Sequence, residues 1–159
     1  MIGKITGALL LVVGGGYLCV ERNAQGRKEI RLIYELASAL ESMEGMIRWE
    51  KAALPAAIKR QCSRELCGEL FQKTLLLMED ETTLQRAWEI SFSKVKTAGD
   101  ILRRMEFSGD ELHLTGQLQL AAQQLRQRAE QRNADRNERE KLRMAVCASV
   151  VGLVTILLF

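Results

Sequence analysis

The chain has 159 residues, 47% of them hydrophobic, and 23 Lys and Arg against 20 Asp and Glu give it a formal net charge of +3. So small a basic excess excludes a protein that holds nucleic acid mainly through its phosphates. The single histidine, His113, excludes a multi-histidine metal centre, and the four cysteines lack the density of a disulfide scaffold.

The chain opens on an apolar stretch, Met1 to Val20, whose only charged side chain is Lys4. At about 1.5 Å per residue, twenty helical residues span about 30 Å, enough to cross a bilayer. A cleaved secretion signal is the rival reading. It lacks a small-x-small cleavage site, because Gly16-Tyr17-Leu18-Cys19-Val20 places bulky residues there. Residues 1–21 are therefore predicted to be a retained N-terminal transmembrane helix.

Residues 22–130 read as a helical domain. Pro55 is the only proline, and Leu, Ala, Glu, Gln and Arg dominate, so the fold class is all-α. Ile30, Ile33, Ala37, Leu40, Met43 and Ile47 recur at helical spacing and form an inward stripe, with Gly45 as a weak point in that helix. Pro55 suits the first turn of a short second helix running toward Arg60. A third helix is expected from Arg64 to about Met78, with Leu66, Leu70, Thr74 and Leu77 on one face.

Thr82 and Gln85 have capping-box spacing ahead of a fourth helix whose inward stripe is Leu84, Ala87, Trp88, Ser91 and Val95, broken at Gly99-Asp100. Ile101, Leu102 and Met105 form a short helix, and Ser108-Gly109-Asp110-Glu111 signals the next start. Leu114, Leu118, Ala121, Leu125 and Ala129 then carry an apolar stripe. Residues 131–141 are polar all round and read as a juxtamembrane stalk. Residues 142–159 are predicted to be a C-terminal transmembrane helix, with Arg143 reaching back to the headgroups. No repeat of fixed period is evident.

Charge sets the expected topology. Arg22, Arg27, Lys28 and Arg31 follow the first apolar stretch, and Arg136, Arg139, Lys141 and Arg143 precede the second. By the positive-inside rule the middle is cytoplasmic and both termini face outward, which makes the protein a cell-membrane protein. Gly3 and Gly7 have the spacing that brings membrane helices together, so homo-oligomerisation is left open.

Reactive chemistry is sparse. There is no phosphate-binding glycine loop, since Gly14-Gly15-Gly16 lies in the apolar stretch without a following lysine, and no cofactor or metal is expected. Cys62 and Cys67 are five apart, unlike structural zinc ligands. Glu79-Asp80-Glu81 is the best carboxylate cluster for a membrane-anchored enzyme, yet it reads better as a solvated turn before a helix. Leu40, Ile47, Leu84 and Trp88 are expected core residues. Trp49, Arg103, Arg104, Asp110 and Glu111 are candidate partner contacts.

At Ala39-Leu40-Glu41-Ser42-Met43-Glu44-Gly45-Met46-Ile47, and again from Thr83-Leu84-Gln85-Arg86-Ala87-Trp88-Glu89 through Val95, the chain resembles the stage III sporulation protein AB family. The likeness covers essentially the full length. It implies a helical cytoplasmic domain between two membrane helices, in a non-enzymatic platform component of the channel or secretion-like complex joining mother cell and forespore. The central domain would then lie on the mother-cell side, and its partners would be the membrane, a cytoplasmic secretion-type ATPase and other membrane subunits of the complex. A platform or adaptor subunit of a type II secretion or type IV pilus-like system is the alternative. The family usually carries a Phe-Gly-Glu-x-Leu-Gly-like turn, whereas this chain reads Phe107-Ser108-Gly109-Asp110-Glu111-Leu112, so a role for that turn does not carry over.

Overall fold

A computed structural model describes residues 2–158, with side chains described for 25–146, 149, 150 and 153. The described residues are helical, without a strand: α1 (Ile2–Glu50), α2 (Leu54–Gln61), α3 (Gly68–Glu79), α4 (Leu84–Phe92), α5 (Gly99–Arg103) and α6 (Glu111–Leu158). Among the described residues no helix is long and apolar enough to cross a membrane. The expected anchor over 1–21 lies outside the residues whose side chains are described, and that over 142–159 lies largely outside them.

α1 and α6 form an antiparallel pair. Its register is marked by Lys51 with Glu111 at 2.6 Å, Arg126 with Glu41 at 2.6 Å, Arg132 with Glu29 at 3.5 Å and Arg27 with Glu140 at 3.9 Å. The seam follows from two helical stripes: Ile33, Leu36, Ala37, Leu40 and Met43 are wholly buried on α1, and Leu118, Leu125 and Ala129 on α6. Alanines on the α6 side, including Ala121 and Ala122, leave room for the larger α1 side chains. Gly45 does not interrupt α1.

The four short helices close the core as two helix-turn-helix units. Pro55 starts α2 in its first turn, where the missing N–H costs nothing. α3 begins at Gly68 rather than Arg64, and its buried residues are Gly68, Phe71 and Thr74, while Leu66, Leu70 and Leu77 are half-buried. α4 ends at Phe92, so Val95 is buried in the turn that follows, and Gly99-Asp100 opens α5 instead of breaking a longer helix. Leu84, expected in the core, is half-buried and packs against its edge, because it is the first residue of α4.

The caps differ from the expected ones. Thr83, not Thr82, caps α4 by accepting from the Arg86 N–H at 3.4 Å. Gln85 is thereby freed from capping: its amide donates to the Met105 carbonyl at 3.0 Å and its oxygen accepts from the Phe107 N–H at 3.3 Å. Asp110 caps α6, accepting from the His113 N–H at 2.9 Å, in place of Ser108. A carboxylate one residue before the helix outcompetes a hydroxyl three residues away for the same orphan donors.

An aromatic cluster fills the centre. Trp88 is fully buried, with ring centroids 4.4 Å from Phe92, 4.9 Å from Phe107 and 5.9 Å from Phe71, and its indole N–H donates to the Leu102 carbonyl at 2.9 Å. Tilted and edge-to-face contacts suit the ring quadrupoles, and the polar tip is satisfied.

Candidate functional site

Two inter-helix turns, α2–α3 and α4–α5, are each tied to one of the long helices. In the first, the Glu35 carboxylate on α1 accepts from the Leu66 N–H at 2.9 Å and the Cys67 N–H at 3.2 Å. Arg64 then spans from Gln61 Oε1 at 2.8 Å to the Ser38 hydroxyl at 3.3 Å and the Ser38 carbonyl at 3.2 Å. In the second, Arg128 on α6 donates to the Thr97 carbonyl at 3.0 Å and pairs with Asp100 at 2.5 Å. These clamps hold the two short units against the long pair. No local signal in the sequence marks Glu35 for this part, because its partners lie 31 and 32 residues away.

Burial pushes the Glu35 carboxyl up, but the amides of Leu66 and Cys67, with the Cys67 thiol and Arg64, outweigh it and hold the group below its ordinary value. The Arg128 hydrogen bond likewise lowers Asp100. A depressed carboxylate contributes stability that is complete above the unfolded pKa and is lost as pH falls through the folded one. Glu35→Gln should therefore flatten the acid side of a plot of melting temperature against pH, while leaving the neutral part nearly parallel to wild type. Coincident acid limbs for the two proteins would show that the Glu35 charge is not coupled to folding.

Burial raises the Cys67 thiol to about 12, reinforced by the Glu35 charge, and also raises Cys62. Both cysteines are free thiols with little thiolate at neutral pH. They suit packing better than reaction. Among the described residues no group of three His, Cys, Asp or Glu side chains is placed to hold a metal ion.

Two surfaces remain as candidates for binding. The first is the end where α1 stops and α6 begins. Trp49 is 77% exposed beneath the Arg48 guanidinium, 5.3 Å from its ring centroid, and Leu112 is 78% exposed. Lys51 takes a left-handed backbone conformation, φ 53°, and pairs with Glu111. That pair brings Trp49 and Glu111 to the same end. Arg103 and Arg104 are exposed at the end of α5, where Arg103 donates to the Gly99 carbonyl at 3.2 Å. Asp110, exposed as well, is committed to the α6 cap.

The second surface is a groove of about 620 Å³ between α1 and the polar stretch of α6, lined among others by Glu29, Arg132, Arg136, Arg139 and Arg143. The expected stalk is thus flanked by α1: Arg132 meets Glu29, and Glu140 lies 3.9 Å from both Arg27 and Arg136. Of the residues expected to set topology, the groove collects Arg136, Arg139 and Arg143, with Arg27 tied in through Glu140. Lys28 and Lys141 are exposed, Arg31 pairs with Glu65 at 3.7 Å, and the Arg22 side chain lies outside the described residues. Leu40 and Trp88 are fully buried and Ile47 nearly so.

The family model described as stage III sporulation protein AB matches residues 4–159. Comparison with curated proteins and with solved structures returns no match.

Proposed function

Because the chain belongs to the stage III sporulation protein AB family, a family of sporulation proteins, we propose that it is a non-enzymatic membrane platform component of the complex between mother cell and forespore. Its partner in this reading is a cytoplasmic secretion-type ATPase, and its small helical bundle lies in the cytoplasm, on the mother-cell side. The observation that carries the reading is the asymmetry of the α1–α6 pair. At one end lie the basic stretches and then Leu142, Met144, Val146, Val150 and Leu153, all exposed. Five large apolar side chains facing water on one helix end are unfavourable unless lipid or protein covers them. A bilayer covers them and places the arginines at its headgroups.

At the other end sits the bundle, clamped to both long helices by Glu35 and Arg128. A force applied there by an ATPase passes to the membrane ends through the two helices, with no reactive group needed in this chain. Trp49 under Arg48, with Leu112 and the Lys51–Glu111 pair nearby in the register, makes an aromatic and charged end of the kind that anchors partners.

Co-purification of the full-length protein with the ATPase in detergent tests the proposal. The wild-type pair should associate, and association should weaken with salt if charged side chains share the interface. Trp49→Ala combined with Arg103→Glu and Arg104→Glu should reduce the ATPase recovered at least about tenfold, the loss expected for a single anchor residue, without lowering the melting temperature. Asp110 is left intact, because reversing it removes the α6 cap and about 1 kcal/mol of stability. Failure of the wild-type pair to associate would overturn the platform reading; unchanged recovery with the triple variant would move the interface elsewhere on the bundle.

A further inference from the structure

We infer that the groove between α1 and the basic stretch of α6 holds the phosphate headgroup of an anionic phospholipid, with Arg139 and Arg143 as its principal ligands. Arg132, Arg136, Arg139 and Arg143 succeed one another at spacings of four, three and four, so all lie on the α6 face that lines the groove. Their charges are not neutralised evenly. Glu29 meets Arg132, and Glu140, one residue beyond Arg139, lies 3.9 Å from Arg136 and from Arg27. Arg139 and Arg143, toward the apolar end, have no ion-pair partner among the described residues and are exposed. Positive charge is therefore left over where the helix turns apolar.

The occupant follows from that position. Leu142 and Met144 flank Arg143 directly, and Val146, Val150 and Leu153 continue the exposed apolar surface. A ligand filling both regions needs an anion at one end and acyl chains at the other. Gly26, on the α1 wall of the groove, has open space where a side chain would stand, so α1 leaves the volume clear. Guanidinium groups present paired N–H donors that match phosphate oxygens, and basic grooves between helices at the cytoplasmic face of a bilayer suit such headgroups.

The inference rests on the membrane reading above, and its test separates the two. Full-length protein in a neutral detergent is titrated with phosphatidylglycerol, phosphatidylcholine or inorganic phosphate, and bound lipid is read by native mass spectrometry alongside the melting temperature. Alkaline carbonate extraction of cell membranes reports insertion independently. Phosphatidylglycerol should bind and raise the melting temperature, phosphatidylcholine should not, and inorganic phosphate should not displace the lipid. Arg139→Gln with Arg143→Gln should weaken phosphatidylglycerol binding about thirtyfold with the protein still folded and still resistant to carbonate. Lys28→Gln with Arg31→Gln, an equal loss of charge outside the groove lining, should bind as wild type does.

Equal weakening by both pairs would show diffuse attraction and overturn the groove. Equal binding of the two lipids, or full displacement by inorganic phosphate, would overturn the anionic-lipid assignment. Release of the wild-type protein by carbonate would instead count against membrane anchoring, whatever the lipid titration gives.

Discussion

Trp88→Ala should destabilise the protein by about 3–5 kcal/mol, the range for removing a large aromatic side chain from a core. A small domain has about 5–15 kcal/mol in total. The full-length protein in detergent should therefore lose its cooperative melt or melt more than about 10 °C lower. The reason is that Trp88 is the shared member of the cluster: Phe71, Phe92 and Phe107 each contact its ring, and its N–H meets the Leu102 carbonyl. Removing it opens a cavity at the meeting of α3, α4, α5 and the segment after α5. Trp88→Phe keeps the ring contacts in part and loses mainly the hydrogen bond, so it should cost clearly less. With Trp49 as its one remaining tryptophan, that variant should also emit as a solvent-exposed indole, since Trp49 is 77% exposed. An alanine variant melting within a degree or two of wild type would show that the cluster does not hold the bundle together.

The second large effect is expected at two glycines, where helix propensity gives the wrong sign. Both Gly68 and Gly99 open a helix after a turn, and replacing glycine by alanine inside a helix usually stabilises by about 0.8–1.0 kcal/mol. Here a β-carbon on Gly68 would collide with the Cys62 carbonyl, and one on Gly99 would stand 2.7 Å from the Phe92 carbonyl oxygen. Both obstacles are backbone, which cannot rotate away. Overpacking of this kind costs about 1–3 kcal/mol, occasionally more, so steric conflict outweighs propensity and each alanine variant should melt several degrees lower.

Gly45 and Gly116 supply the internal control. Each lies within a long helix, and a β-carbon there meets nothing within 4 Å. Alanine at either should raise the melting temperature slightly. If all four substitutions stabilise alike, the tight turns drawn from the structure are wrong.

The departures of structure from sequence reading concentrate in those same turns. Arg64 to Cys67 has a helix-compatible composition, and Leu66, Leu70, Thr74 and Leu77 keep helical spacing through it, which is why a helix from Arg64 was expected. Glu35 instead accepts the Leu66 and Cys67 amides, and α3 starts only after them, at Gly68. The consequence is a shifted face: Phe71, which the stripe omitted, is buried on α3 with Gly68 and Thr74, while Leu66, Leu70 and Leu77 are half-buried. Val95 similarly kept the period of α4 while lying beyond its end.

Among the candidate surfaces, the basic flanks were legible because Lys and Arg can be counted along the chain. Their assembly into a groove was not. It depends on α1 and α6 lying antiparallel with Glu29 opposite Arg132, residues 103 positions apart.

The helical class, the two long apolar stripes and the inward place of Trp88 are written in the order of the amino acids, because helical periodicity and side-chain hydrophobicity are local properties that act wherever the chain lies. Where the short helices begin, which acids and arginines clamp the turns, and which arginines face one groove depend on how the helices pack. Those outcomes are pairings across long separations: Glu35 with Leu66 and Cys67, Arg128 with Asp100, Arg132 with Glu29. A hydrogen bond or ion pair has direction and a reach of a few ångströms, so a partner is chosen by where the folded helices place it.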